Sequence, residues 1–295
     1  MLHTPNVRGG SIYTQSARFD DRQHFLNEDE IRKLAPSVFA RDAHPSRSER
    51  FAPIATYDVI KALHKEGFGV VGAVQSRALY EDRKNYAKHM LRLRRMDEAK
   101  KYTRGDSVFE IILKNANDGT AAYDMLSGLW RILCENSLVA MSNQMASSRV
   151  RHSGDVVHKV VDATYEVIKD AERALDAPDK WGNIQLDRRE QMLLANAAHE
   201  IRFPVDDEGR PTTNITPDQL LHVRREEDRK PDLWATFNVI QENAIKGGLG
   251  ARSLNNNRVT HTRRIKSIDQ STALNRALWT LGEEMARIKS GGLVE

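Results

Sequence analysis

Alternation of apolar and polar positions marks the first third of this chain. In "NYAKHMLRLRR" (85–95), His89, Leu91 and Leu93 alternate with a second row that carries three cations. A period of two is typical of a strand with one face buried and the other in water. The pattern therefore predicts a strand whose cationic row faces solvent. The segments "FGVVGAVQS" (68–76) and "SVFEIILKNAN" (107–117) predict two further strands.

A helical period flanks these strands. "TYDVIKALHKEGF" predicts a short helix with Thr56 as N-cap and Gly67 at its end. "AAYDMLSGLWRILCENS" places apolar residues at helical spacing and predicts a core helix across the sheet. "SLVAMSN" and "SSRVRHSG" are interpreted as two short strands. Further helices are predicted over 155–175, 187–201, 233–246 and 270–289.

The order of these elements predicts the fold class. Strands that come in a run, rather than alternating with helices, favour an α+β fold with a mostly antiparallel sheet. We expect a β-β-β-α core followed by a helical C-terminal part. The expected organisation is a polar N-terminal extension (1–50), an α+β core (51–175) and a helical C-terminal region packing on the core (176–295).

Composition places the chain among ordinary globular proteins. Of its 295 residues, 40% are hydrophobic and 29% are charged. No apolar run reaches the roughly 18 residues that a membrane span needs, and the N-terminus lacks the apolar stretch of a secretion signal. The single cysteine, Cys134, excludes an internal disulfide. We expect a cytoplasmic protein with no membrane partner.

Charge along the chain is segregated although the net value is only +4. Residues 83–104 hold nine Lys or Arg and two acids, and residues 246–266 hold six Lys or Arg and no acid. Residues 162–228, in contrast, hold 16 acids and nine bases. Segregation of this kind creates local fields that a net charge conceals.

Sequence signatures of catalysis are missing. The chain has neither the phosphate-binding pattern G-x-x-x-x-G-K-[ST] nor two histidines spaced to share a helical face. We therefore expect no enzyme, no metal and no cofactor. A metal-dependent nuclease stays open as an alternative, because carboxylates at strand ends suit magnesium. Its candidate ligands are Asp106, Glu110, Asp118 and Asp155.

The cationic rows carry the strongest functional pattern. Alternate residues of a strand lie about 6.6–7 Å apart, near the per-strand phosphate spacing of an extended nucleic acid. Basic side chains mixed with amides and hydroxyls, as in "NNNRVTHTRRIK", suit phosphates and sugars. The predicted nucleic-acid contacts are Lys88, Arg92, Arg94, Lys114, Arg149, Arg151, Arg258, Arg263, Arg264 and Lys266. A solvated face balanced by acids from 162–228 is the alternative.

Several segments of the chain resemble segments of one protein family and occur in the same order as in that family. They are "RFAPIATYDVIKALHKEGF", "QSRALYEDRKNYAKHMLRLRR", "DSVFEIILKNANDGTAAYDMLSGLWRILCENSLV", "RVRHSGDVVHKV" and the late "FNVIQENAIKGG" with "TRRIKSIDQSTALNRALW". The family is the phage- and plasmid-encoded domain of unknown function 932, and the likeness covers roughly residues 50–285. The resemblance implies a setting in mobile genetic elements and no defined reaction. In topology, three strands followed by a core helix also resemble the Rad fifty-two and Red-beta single-strand annealing proteins.

Two functional hypotheses follow. The first is a non-enzymatic, homo-oligomeric protein of a phage or plasmid that binds single-stranded DNA and assists annealing or recombination. The second is an anti-defence protein that inhibits a host immune complex by protein–protein contact, with the acidic segment 162–228 covering a basic partner surface.

Overall fold

The computed structural model describes residues 25–96, 107–131, 148–150 and 176–291. The chain divides into two compact units. Among the described residues, the first unit contains 25–96, 107–131, 148–150 and 266–268, and the second contains 176–265 and 269–291.

An antiparallel sheet forms the centre of the first unit. Its five strands are neighbours in space in the order in which they follow one another along the chain. They are β1 (Phe68–Gln75), β2 (His89–Arg95), β3 (Ser107–Asn115), β4 (Tyr123–Arg131) and β5 (Ser148–Val150). The α+β class with an antiparallel sheet is thereby confirmed, as are the three predicted strands.

The predicted core helix after the third strand is wrong. Residues 123–131 form β4, which pairs antiparallel with β3 from Ser107↔Arg131 to Lys114↔Asp124. Both faces of β4 are buried, with Met125 and Leu126 pointing to opposite sides, so its apolar residues do not alternate. Apolar positions on both faces mimic the spacing of a buried helix. The topological likeness to annealing proteins depended on that helix and loses its basis.

Two helices, α1 (Glu28–Leu34) and α2 (Thr56–Lys65), pack against one face of the sheet. Short 3-10 helices span Pro36–Phe39 and Glu81–Tyr86. The N-cap of α2 is Ala55, so the prediction of Thr56 in that role is off by one residue. Gly67, with φ +86°, follows the end of α2 as predicted. The core between helices and sheet contains Val59, Leu63, Phe68, Leu91, Leu93, Ile111, Leu113 and Tyr123.

The second unit is mainly helical. The predictions over 187–201, 233–246 and 270–289 are confirmed to within a few residues, whereas 155–175 lies outside the described residues. The elements are α3 (Ala177–Gly182), α4 (Arg188–Arg202), α5 (Leu233–Lys246) and α6 (Ile268–Lys289, whose first residue falls in the first unit), with a hairpin of β6 (Gly250–Arg252) and β7 (Val259–His261). Short 3-10 helices span Pro217–Leu221 and Glu226–Asp228.

Four aromatic rings form part of the core of the second unit. Trp181 of α3 packs on Trp279 of α6 with ring centroids 4.6 Å apart. Phe237 of α5 meets both of these rings edge-on, at 5.3 and 5.7 Å, and stacks on Trp234 at 5.9 Å. Such rings bury large apolar areas, so this cluster joins three helices into one unit. Among the described residues, no helix is both long and apolar enough to cross a bilayer.

Candidate nucleic-acid interface

The cations of β2 do not face water. Arg92 and Arg94 are only 4% and 8% exposed, and both bind the carboxylate of Glu110, which is 2% exposed. Arg92 donates from Nε to Oε2 at 2.6 Å and from Nη2 to Oε1 at 2.9 Å. Arg94 donates from Nε to Oε1 at 3.1 Å. The prediction of a solvent-facing row at Arg92 and Arg94 is therefore wrong.

The physical reason is that both faces of this sheet are buried. Leu91 and Leu93 face the helices, while Met90 and Ile112 are buried on the opposite face, together with Glu110. Glycines lie on both flanking strands at the level of these charged groups. Gly72 of β1 lies opposite Arg92, and Gly128 of β4 lies opposite Glu110.

Arg92, Arg94 and Glu110 form a buried ion triad, which is stabilised by the attraction of opposite charges. Burial alone would raise the pKa of Glu110, but the guanidinium groups of Arg92 and Arg94 outweigh burial and hold the pKa below its ordinary value. The carboxylate is therefore ionised and committed to two arginines. A buried group in this state supports the sheet and is a poor candidate for metal ligation or catalysis.

The remaining sheet cations are also engaged or lie outside the described residues. Lys114 is bound to Asp124, its cross-strand neighbour, with Nζ 2.9 Å from Oδ2. Lys88 is half-buried and has contacts of its own. The backbone of Arg149, in β5, pairs with that of Asp124, in β4. The side chain of Arg149 and all of Arg151 lie outside the described residues. The described part of the sheet thus provides no open cationic trough.

The late basic segment is different, because it forms an exposed hairpin. We define the basic arm as residues 247–265, which contain β6, β7 and four arginines without any acid. Arg258 and Arg263 are exposed, and so is Lys266, which follows the arm and belongs to the first unit. Within the described ranges, no carboxylate forms an ion pair with any of these three cations. Arg264 is half-buried and has contacts of its own.

Glycines direct the chain from α5 into the basic arm. Gly247 has φ +70°, and a Cβ there would lie 2.6 Å from the carbonyl oxygen of Thr262. Close approach of the two arm ends permits paired backbone hydrogen bonds, from Gly248 N to Thr262 O at 2.8 Å and from Thr262 N to Leu249 O at 2.9 Å. The string "KGGLG" is therefore a turn that closes the arm at its base.

Side chains from the helical unit fasten the same base. Arg202 donates to the carbonyl oxygens of Ala244 at 2.8 Å and Arg263 at 3.1 Å. Three more side chains donate to carbonyl oxygens of the turn or of β6, at 2.6–2.9 Å: Arg224 to Gly247, Gln219 to Gly250 and Asn214 to Arg252. The arm is thus held at its base while its tip, residues 254–258, lies in solvent.

Some acidic residues of segment 162–228, which the anti-defence hypothesis invokes, form ion pairs with nearby arginines. Asp206 and Glu208 both pair with Arg210, and Glu226 pairs with Arg229 at 3.0 Å. Asp207, next to the first two, is exposed and has no ion pair within the described residues, and residues 162–175 of the acidic segment lie outside them. The anti-defence hypothesis therefore stays a prediction.

Carboxylates proposed as magnesium ligands do not converge in the described ranges. Asp118 is buried and accepts hydrogen bonds from N and Oγ1 of Thr120 at 2.9 and 2.6 Å, as a turn residue does. Asp106 and Asp155 lie outside the described residues. No group of three or more His, Cys, Asp or Glu that could hold a metal occurs in the described part of the chain.

A buried histidine network escaped the sequence analysis. The two ring nitrogens of His89 lie 2.8 Å from Ser37 Oγ and 2.9 Å from Thr56 Oγ1. Asn115 donates to Thr56 Oγ1 at 2.9 Å, which ties the strand to the start of α2. Burial lowers the pKa of His89 to about 4, so the ring is neutral near pH 7. Alternation indicated that His89 is inward, but no pattern indicated its hydroxyl partners.

Comparison with known proteins relates the sequence of this chain to one family. Two relatives from Escherichia coli (strain K12) are similar over 264 residues, the UPF0380 proteins YfjQ (41% identical) and YafZ (40% identical). In both alignments 90% of this chain and 93% of the relative are covered. No solved structure matches this chain. Residues 43–279 match the model of the family described as Domain of unknown function (DUF932), and the chain belongs to that family.

Proposed function

We propose that this protein binds nucleic acid through the basic arm, by contacts to phosphates. The supporting observation is that Arg258 and Arg263 are exposed on a hairpin whose base is fastened, with no ion-pair partner in the described ranges. Cations held on a fixed element lose little conformational freedom on binding. Free arginines of this kind suit bidentate contacts to phosphate oxygens.

The composition of the arm determines the kind of contact. Residues 247–265 include three consecutive asparagines but no Phe, Tyr or Trp. Stacking of bases on Phe, Tyr or Trp therefore contributes nothing at the arm, where the exposed His261 is the one ring side chain, and we expect phosphate contact to supply most of the affinity. We keep single-stranded DNA, in annealing or recombination of mobile DNA, as the proposed substrate and setting on the strength of the acid-free basic segment alone, since the topological likeness to annealing proteins no longer supports it. Self-association into an oligomer is part of the same proposal.

Salt dependence of oligonucleotide binding tests the proposal. The affinity of the full chain for a single-stranded oligonucleotide should fall steeply between about 50 mM and about 200 mM salt. The double variant Arg258→Ala, Arg263→Ala should bind about tenfold or more weakly, with a salt slope reduced by about 0.7 per lost contact. A duplex of the same sequence, measured in parallel, shows whether single strands are preferred.

A matched control has the same change in net charge. Arg50 and Arg77 are exposed arginines of the first unit without an ion pair in the described ranges, so Arg50→Ala, Arg77→Ala should bind like the parent. Absence of binding at low salt rejects the proposal, as does an equal loss in both double variants.

A further inference from the structure

A cleft opens in the second unit between α4, α5 and residues 221–231. Its volume is about 470 Å³, within the range of about 300–1,000 Å³ usual for small-molecule sites. We call it the basic cleft. Its described lining consists of Arg188, Gln191, Leu221, Val223, Asp228, Arg229, Lys230, Pro231, Thr236 and Val239.

The charged residues of this lining are mostly cations. Lys230 is exposed and has no ion pair among the described residues. The one side-chain hydrogen bond of Arg188 within the described residues goes to Oε1 of Gln191, at 3.5 Å, and Arg229 pairs with the exposed Glu226. Asp228 is the carboxylate of the described lining, and it is buried with contacts of its own. An anion entering the cleft therefore meets three cationic side chains, of which Arg229 is shared with Glu226, and one buried carboxylate, Asp228.

The rest of the lining suits a flat apolar body. Leu221, Val223 and Val239 provide branched aliphatic side chains, and Pro231 adds a rigid ring. The same lining holds an amide and a hydroxyl, with Nε2 of Gln191 3.4 Å from Oγ1 of Thr236. At this distance the hydrogen bond between the two groups is weak, so both can form hydrogen bonds to a ligand instead. An apolar wall with a few convergent polar groups is the usual composition of a ligand site.

We infer that the basic cleft binds a nucleoside monophosphate group, with the phosphate at Arg188, Arg229 and Lys230 and the base against the aliphatic wall. Arginine and lysine together supply charge and bidentate donors for phosphate oxygens. An amide can pair with the edge of a heterocycle, because it offers both a donor and an acceptor. The group belongs either to a free nucleotide or to the phosphorylated end of a strand. The basic arm is not part of this site.

Calorimetric titration of the full chain tests this inference. The probes are AMP, GMP, CMP and UMP, each compared with its own nucleoside. At least one nucleotide should bind about tenfold or more tightly than its nucleoside, because the phosphate supplies the charge contacts. The double variant Arg188→Gln, Lys230→Gln should weaken that binding by about tenfold or more. A single variant, Lys230→Gln, serves if the double variant is poorly folded by circular dichroism.

The matched control is Lys180→Gln, Arg189→Gln, which removes two exposed cations of the same unit that lie outside the cleft lining. It should bind nucleotide like the parent. The inference is overturned if all four nucleotides bind no better than their nucleosides. It is also overturned if the control and cleft variants lose binding equally.

Competition then identifies the source of the group. Displacement of the nucleotide by a 5′-phosphorylated oligonucleotide, but not by its 5′-hydroxyl form, assigns the cleft to a strand end. If neither form of the oligonucleotide displaces the nucleotide, the cleft is assigned to a free nucleotide. The variant Arg258→Ala, Arg263→Ala separates the two proposals, because it should bind nucleotide like the parent. Loss of nucleotide binding in this variant overturns the cleft site. Nucleotide binding without oligonucleotide binding rejects the arm and keeps the cleft.

Discussion

At the scale of single residues, Glu110 has the largest electrostatic role in the described sheet. Glu110→Gln keeps the shape of the side chain but leaves the buried guanidinium groups of Arg92 and Arg94 without their shared counterion. Breaking a buried ion group in this way costs roughly 3–5 kcal/mol of unfolding free energy. Urea unfolding followed by circular dichroism measures the loss.

A surface pair provides the comparison for Glu110. Glu81 pairs with Lys84 on an exposed 3-10 helix, so Glu81→Gln should change stability by less than about 1 kcal/mol. Equal stability of Glu110→Gln and the parent would contradict the prediction. Replacing Arg92, Arg94 and Glu110 together by apolar residues of similar volume should recover much of the loss, because no buried charge then remains.

His89 makes the stability of the first unit depend on pH. Its pKa is lowered from 6.5 to about 4 by burial, so between these values the unfolded chain binds a proton that the native chain does not. The free energy of unfolding is therefore highest above pH 6.5 and falls as the pH drops towards 4. A pKa difference of this size corresponds to roughly 3 kcal/mol.

Urea unfolding of the parent and of His89→Gln, at about pH 7 and about pH 4.5, isolates this contribution. The variant should be less stable at neutral pH, because Ser37 and Thr56 lose well-placed partners. Its stability should also fall less on acidification. The same pH dependence in both proteins would show that His89 does not cause the loss.

At the scale of elements, the turn at the base of the basic arm determines where the arm lies. Gly247→Ala places a Cβ 2.6 Å from Thr262 O at a positive φ, so the arm must shift or the end of α5 must fray, at a cost of roughly 1–3 kcal/mol. We expect faster amide exchange at Gly248 and Thr262, together with weaker oligonucleotide binding.

The neighbouring glycine is a control with the same backbone requirement. Gly248 has φ +82°, but a Cβ there would meet only the guanidinium of Arg224, at 3.9 Å. Gly248→Ala should therefore lower the free energy of unfolding by only about 1 kcal/mol, which is the cost of a residue with a Cβ at a positive φ. Equal exchange rates in the two variants would argue against close approach as the reason for glycine at 247.

At the scale of the whole molecule, the proposed function predicts assembly on DNA. Several copies bound to one strand raise one another's effective concentration, so phosphate contacts that are weak singly become strong together. Mass photometry should find particles that are multiples of 33.5 kDa and that grow when a long single-stranded oligonucleotide is added. A monomeric mass that oligonucleotide does not change would contradict both the oligomer and the DNA assembly.

Much of the fold could be predicted from the sequence, because local periodicity survives folding. The three strands 68–76, 85–95 and 107–117 and the helices near 187–201, 233–246 and 270–289 follow from it. The exposure of Arg258 and Arg263 also agrees with their polar, acid-free surroundings. The basic cleft could not be predicted, since Arg188 and Lys230 lie far apart along the chain.

By itself, then, the sequence determined which segments alternate, which turn at helical period and where positive charge accumulates, because these properties depend on near neighbours in the chain. Only the tertiary structure decided that both faces of the sheet are buried. Pairing with β3 made residues 123–131 a strand, and the second buried face placed Glu110 of β3 beside Arg92 and Arg94 of the neighbouring β2. A cation's surroundings depend on residues that are distant in sequence, and so arginines are neutralised by Glu110 in β2, whereas Arg258 and Arg263 of the basic arm have no ion pair within the described residues.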